Sequence, residues 1–392
     1  MSDQYQASAS DPAAVREVCE TYGFCLIKGA LSQSDLDTLL AGMRAAAHAA
    51  SGWVMPDILG LPEVRQIYFH PSLLAIARAL LGSALVYDGE GSINFEETIG
   101  THTLNPYAEL HCDAKGMPGN ITETWHSPTD AIYRAYRFGI YFQDYRHASG
   151  ALKVVVGSHR GDPAAFQDSQ LLSAVTGNRV VGGTAMAYPQ TTHPLYNLPS
   201  QPGDVVVWNL RTFHSAGAKL LTDDPGFAVH PAVEAAIAAQ APHLLAPPPG
   251  PRNAMFFDYA APCEEIDLYI KLRARPTASG VAHRLDRRND DPAGMALAAT
   301  HGVSVRHDGL ITALALTLAT KDTASPVRKL NSDEVRAAAA RLYALLQGHV
   351  EYSPYFTLFD RARFEQTPKF NTALNGAISD IVDSLFIKKA RA

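Results

Sequence analysis

Cysteine is scarce in this 392-residue chain: Cys19, Cys25, Cys112 and Cys263 are the only four, and none stands in a C-x-x-C pair. That excludes a disulfide scaffold and a zinc ribbon, and it fits a reducing, cytoplasmic setting. An excess of positive charge is missing as well. The formal net charge is −6 with 18% charged residues, so a nucleic-acid surface, which needs a basic stripe, is not expected. No apolar run reaches membrane-spanning length, so no membrane partner is expected. The polar, small-residue N-terminus lacks the basic-then-apolar pattern of a secretory leader. Repeats and low-complexity tracts are absent. What remains is a globular composition, 47% hydrophobic, long enough to bury a catalytic pocket.

The pattern along the chain is mixed. Residues 1–13 read as a disordered lead-in. Helical periodicity starts near Pro12, and residues 22–28 (YGFCLIK) read as a strand. Ser32 with Asp35 three residues on has the form of a helix N-cap with a carboxylate at N3, and Leu36, Leu39, Leu40 and Met43 follow at helical spacing. Pro71 to Leu81 reads as a helix closed by Gly82. From residue 84 the segments 84–87, 92–95, 136–142, 152–156, 204–208 and 252–259 are short, β-branched or aromatic, and bounded by turn residues. The expected class is therefore mainly β with flanking helices (α+β), with a double-sheet jelly roll as its core. Residues 219–251 differ in composition, with an Ala-rich helical segment and a Pro-rich end. They form an insertion in the 14–262 domain, either a lid over a pocket mouth or a surface decoration. Residues 263–392 read as a helical extension or cap.

The chemistry concentrates in two places. His111-Cys112-Asp113 has H-x-D spacing, which on a strand turns His111 and Asp113 to one face and Cys112 to the other. Far downstream, His214 follows the apolar run Gly203 to Trp208 (GDVVVW). Two imidazoles and one carboxylate are the ligand set of a non-haem Fe(II) centre, leaving three positions open for a co-substrate and O2. Cys112 reads as packing. A lone histidine such as His214 is usually a hydrogen-bonded core residue; the H-x-D partner shifts the reading to ligand. His126, His147, His159 and His193 lack paired spacing, and among them only His126 sits near the ligand strand.

A half-neutralised Fe(II) suits a dianionic chelator such as 2-oxoglutarate. Its distal carboxylate, once buried, needs a cation, and a planar arginine fork fits best. Arg252 opens the strand after the insertion and is the candidate. Arg211, three residues from His214, would point to the opposite face of an extended strand, and Lys219 is the alternative.

These motifs, with the segment 22–29, Ser149 to His159 (SGALKVVVGSH) and Arg252 to Tyr259, resemble the phytanoyl-CoA dioxygenase family of Fe(II)/2-oxoglutarate oxygenases over residues 14–262. The resemblance implies a double-stranded β-helix, cupin-like, with iron on His111, Asp113 and His214 and 2-oxoglutarate on Arg252. It implies a hydroxylase or related oxidation of a small-molecule metabolite, a natural-product intermediate among the options, with release of succinate and CO2. The chain departs from the family in the long insertion between His214 and Arg252. A carboxylate at Asp113 leaves no vacancy for halide, which disfavours halogenation. Tyr107, Lys115, Trp125, His126 and Tyr141 are the substrate candidates, by proximity to the ligand strands alone. The basic stretch 271–288 reads as a solvated face. Two alternatives stay open: a cupin-like metal-dependent hydrolase or isomerase that ignores 2-oxoglutarate, and a non-catalytic relative that only binds. Oligomeric state is not encoded legibly.

Overall fold

The computed structural model describes residues 3–47, 52–54, 58–89, 91–106, 109–113, 134–160, 171–181, 184–224, 226–262 and 291–305. The chain divides into two compact units, 1–270 with 289–306 and 271–288 with 307–392, and every described residue belongs to the first. Apart from 291–305, the expected helical extension and the basic stretch 271–288 lie outside the described residues.

The described elements begin with β1 (Gln6–Ser8), α1 (Pro12–Tyr22), β2 (Phe24–Lys28) and α2 (Gln33–Ala47). Next come β3 (Gly52–Val54), α3 (Pro62–Tyr68), α4 (Pro71–Leu81), β4 (Leu85–Tyr87), β5 (Gly91–Phe95) and α5 (Thr101–Leu104). Then come the strands β6 (Ala135–Tyr141), β7 (Ala151–Val155), β8 (Leu172–Val181), β9 (Thr184–Thr191), β10 (Leu195–Asn197), β11 (Val205–Asn209) and β12 (His214–Ala218), with a 3-10 turn at Ser158–Arg160. Then follow α6 (Pro231–Gln240), β13 (Ala254–Ala260), α7 (Pro292–Thr300) and β14 (Val303–Val305). The fold is of mixed α and β type.

Local chemistry sets the helix ends. Asp11 accepts from the Ala14 N–H at 3.0 Å ahead of Pro12, so α1 starts there. Ser32 and Asp35 form a reciprocal cap on α2: the Asp35 N–H donates to Ser32 Oγ at 3.2 Å, and the Ser32 N–H donates to Asp35 Oδ2 at 2.8 Å. These two starts agree with the sequence pattern.

The strands form a nine-stranded sheet, a three-stranded sheet and a hairpin. The first runs β1-β2-β11-β6-β13-β4-β14, with β5 also on β13 and β3 on β5. The second runs β10-β7-β12, and β8 pairs with β9. On the large sheet, residues two apart share a face. Cys25, Ile27, Val205, Val207, Phe138, Ile140, Met255, Phe257 and Tyr259 form one core with residues of α1, α2, α3 and α4. From the other face, Phe24, Leu26, Val206, Trp208, Tyr141, Ala254 and Phe256 meet Leu152, Val154 and Ala218 of the small sheet. The site lies between these two sheets.

Two sequence expectations change. Residues 6–8 are not a disordered lead-in, because they pair in parallel with Leu26 to Lys28 at the sheet edge. Strands do not stop after Cys263: Val303–Val305 pairs in parallel with β4, so the 14–262 boundary cuts through the sheet. Part of the insertion 219–251 packs on the small sheet. Lys153 on β7 stands opposite Ser215, on the face away from Val154. There its ammonium meets Glu234 of α6 and the Val229 carbonyl, fully buried. Leu221, Val229, Val233, Ile237 and Leu244 give the insertion a small core of its own.

Candidate metal centre

His111 and His214 oppose each other in an isolated antiparallel bridge. The His111 N–H donates to the His214 carbonyl at 2.9 Å, and the His214 N–H donates back at 2.7 Å. Directly opposed residues share a face, and the ring centroids are 4.4 Å apart. Asp113 projects to the same place, with Oδ2 3.7 Å from His214 Nε2. Cys112 between them is buried in the core. One nitrogen or oxygen from each of His111, Asp113 and His214 lies within 4.8 Å of the other two, the one such cluster among the described residues.

Two local expectations are refined here. H-x-D sits on a bridge, not in a continuous strand. His214 does not end the strand that holds Trp208: the chain turns after Asn209, and His214 opens β12. The argument that Arg211 and His214 lie on opposite faces of one strand therefore does not apply. Gly217, at φ +74, sits at the irregular end of β12, where an added Cβ would come within 1.9 Å of Pro106. Only glycine lets the segment leading to His111 lie this close to β12.

Both imidazoles are oriented by backbone. His111 Nδ1 is 2.9 Å from the Glu109 carbonyl and His214 Nδ1 is 2.9 Å from the Thr212 carbonyl. Those contacts assign the hydrogen to Nδ1 and leave Nε2 the lone pair a metal needs. Burial, then the neighbouring His111, push the His214 pKa down to about 4 although Asp113 pulls it up. The neutral, ligating form is thus favoured. Two imidazoles and a carboxylate converging in this way fit a divalent transition metal.

Arg137 of β6 completes the centre, and sequence reasoning missed it. Its Nη1 donates to Asp113 Oδ1 at 2.7 Å, while Nε and Nη2 donate to Asp258 Oδ1 and Oδ2 at 2.7 and 2.9 Å. Asp258 is fully buried on β13, directly opposite Arg137 in the strand register. The signal was present: an Arg and an Asp at inward-facing positions of two apolar strands.

Arg252 is 6% exposed, and its Nη1 donates to the Gly150 carbonyl at 3.0 Å. No carboxylate pairs with its guanidinium among the described residues. Its Cζ lies 5.8 Å from the Tyr141 ring centroid. Gly150 has φ +122, and a Cβ there would meet the Tyr145 ring at 2.6 Å. Lys219 sits instead beside Glu234, to which its N–H donates at 3.0 Å. Tyr141 is buried, and its hydroxyl has no hydrogen-bond partner among the described residues; the same holds for Trp208 Nε1 and Asn94 Oδ1. Register places Asn94 and Tyr141 on either side of Ala254, on the inner face. Tyr107, Lys115, Trp125 and His126 lie outside the described residues.

The phytanoyl-CoA dioxygenase (PhyH) family matches residues 19–223, just over half of the chain. The chain belongs to this family. The matched span of this PhyH protein holds His111, Asp113, Arg137 and His214, whereas Arg252 and Asp258 lie beyond it. No curated protein matches in sequence. Among solved structures, the non-haem α-ketoglutarate-dependent epimerase SnoN from nogalamycin biosynthesis is 18% identical, with 64% of this chain and 84% of that one covered and a TM-score of 0.39. The carbocyclase SnoK of the same biosynthesis is 16% identical, covering 63% and 83%, at 0.40. AviO1 from Streptomyces viridochromogenes Tue57 is 18% identical, covering 64% and 96%, at 0.38. Likenesses at TM-scores of this size add nothing to the family match.

The remaining histidines split. His159 is buried, with Nε2 3.1 Å from the Glu20 carbonyl at the end of α1, and Ser158 Oγ accepts from the Phe213 N–H at 2.9 Å. The Gly157-Ser158-His159 turn therefore joins α1 to the segment before His214. His193 lies beside Thr192, with Nδ1 3.1 Å from its hydroxyl. No helix among the described residues is long and apolar enough to cross a membrane.

Proposed function

We propose that this protein is an Fe(II)- and 2-oxoglutarate-dependent oxygenase acting on an unactivated C–H bond of a small-molecule metabolite. The observation that carries the reading is the convergence of His111, Asp113 and His214 inside a PhyH-family chain. The strand order supports it. The large sheet contains β5-β13-β6-β11, and the small sheet has the His111 bridge next to β12, followed by β7 and β10. Apart from β7 and β10, which lie in the same sheet and are joined through the β8–β9 hairpin, successive segments alternate between the layers in the manner of a double-stranded β-helix.

Iron bound with 2-oxoglutarate and O2 would supply an oxidant strong enough to take hydrogen from an unactivated carbon, with succinate and CO2 released. The chain's own residues do the rest. His111 and His214 present Nε2 because Glu109 and Thr212 hold Nδ1. Arg252 is a buried cation with no carboxylate partner among the described residues and suits the distal carboxylate of 2-oxoglutarate. The Tyr141 hydroxyl beside it adds a second donor. The large sheet's inner face supplies polar contacts through Asn94 and Trp208, while Phe256 and Leu152 keep water out. Asp113, as a carboxylate ligand, favours oxygen transfer over halogenation.

The test is anaerobic titration of the Fe(II)-loaded protein with 2-oxoglutarate, in wild type and Arg252→Ala. Losing a buried charge partner of about 2–5 kcal/mol weakens binding at least about 30-fold, with iron affinity unchanged. Equal 2-oxoglutarate affinity in the two proteins, or no succinate from wild type in air, would favour a metal-dependent hydrolase or isomerase.

A further inference from the structure

Buried beside the metal-binding residues is a carboxylate–arginine–carboxylate chain that the proposed reaction does not require. Asp258 is fully buried, and the Arg137 and Asp113 side chains are 11% and 8% exposed. Arg137 and Asp258 face each other across β6 and β13, flanked on their inner face by Gly139, Tyr141 and Phe256. A buried Arg–Asp pair does not by itself make a fold more stable than an apolar pair of similar size, because two charges must be desolvated. The fork has a further consequence. Asp258 fixes the guanidinium plane through Nε and Nη2, and in that orientation Nη1 donates to Asp113 Oδ1 at 2.7 Å. The other oxygen, Oδ2, is the one on the His214 side, 3.7 Å from Nε2.

We propose that Arg137, held by Asp258, is a positioning residue that occupies Asp113 Oδ1 and restricts this carboxylate to a single bond with the metal. The inference rests on the metal-centre reading above. A carboxylate free to rotate can chelate through both oxygens and consume a position needed for a co-substrate or O2. A charge-assisted bond to a pinned guanidinium opposes that rotation. Lysine would not substitute, since a point charge cannot hold two carboxylates in one plane.

The experiment uses Mn(II)-loaded full-length protein and counts metal-bound waters by water-proton relaxation. Arg137→Gln with Asp258→Asn removes a cation and an anion together, so neither remains buried alone. Arg137→Met with Asp258→Leu is the apolar version, which serves if the amide pair does not fold. Wild type is expected to hold three waters and either double variant two. In Fe(II) protein, KM for 2-oxoglutarate should change less than threefold, while kcat for substrate-independent succinate formation falls at least tenfold. A purely structural role would lower the thermal midpoint and leave the water count at three. A folded double variant with three waters and wild-type kcat overturns the proposal while leaving the metal centre in place. A wild type that binds no Mn(II) overturns the metal-centre reading, and the proposal with it.

Discussion

The two faces of the nine-stranded sheet are built from the same strands and do different work. On β13 the outward residues are Met255, Phe257 and Tyr259, packed against helices, and the inward ones are Ala254, Phe256 and Asp258. On β6 the outward set is Tyr136, Phe138 and Ile140, and the inward set is Arg137, Gly139 and Tyr141. The outer face is apolar and aromatic. The inner face mixes aromatic cover with charges and with polar atoms that have no partner among the described residues. Apolar packing is concentrated on one side and the candidate metal centre faces the other, so substitutions on the two faces should separate cleanly.

The largest separation is expected at Phe257. It is fully buried, with ring centroids 5.2 Å from Tyr68 and 5.8 Å from Phe138. Phe257→Ala should lose about 3–5 kcal/mol of stability through the cavity it leaves. The urea midpoint should fall while metal affinity under native conditions stays put. A change in metal affinity comparable to the stability loss would break the division between faces.

A second comparison sets the Arg137 network against the Lys153–Glu234 pair behind the small sheet, which touches no proposed ligand. Burial pushes the Lys153 pKa down and the Glu234 pKa up, and each charge draws the other back. Lys153→Met alone strands Glu234 and should destabilise by about 3 kcal/mol, whereas Lys153→Met with Glu234→Leu should recover most of that loss. Chemical denaturation measures both. If the double variant also loses 2-oxoglutarate binding, the insertion has a part in the site that its packing does not reveal.

The smallest effect concerns acid. Burial, aided by Arg160 and Arg211, holds the His159 pKa down to about 4 although Glu20 pulls it up. Since this lies below the unfolded value near 6.5, the contribution is fully present above that pH and is lost as pH falls toward 4. It amounts to at most about 3 kcal/mol. Comparing the pH dependence of unfolding for wild type and His159→Gln isolates it, because His214 titrates alike in both. Identical slopes would show that the turn's histidine is not held neutral.

Local pattern made a good part of this readable in advance. The caps at Asp11 and Ser32, the helix from Pro71 to Leu81 and most strands of the two layers follow from periodicity and turn residues. H-x-D drew attention to His111 and Asp113 because spacing of two is meaningful wherever backbone is extended. The strand Gln6–Ser8 was hidden because its three residues have no apolar pattern and are held by main-chain pairing to β2. The strand Val303–Val305 was hidden because it is short and far along the chain from its partner β4. Lys153, inside an apolar strand, gave no hint that its counter-charge sits in the insertion.

The sequence by itself determined which faces are apolar, where helices start, and that two imidazoles and a carboxylate were available. Those properties depend on neighbours within a turn or two of chain. Only the tertiary structure decided that His214 meets His111 across a bridge and that Arg137 is pinned by a residue 121 positions away. It also buried Arg252 with no carboxylate on its guanidinium among the described residues. Register between strands distant in the chain is fixed by packing and main-chain pairing, and no local periodicity records it.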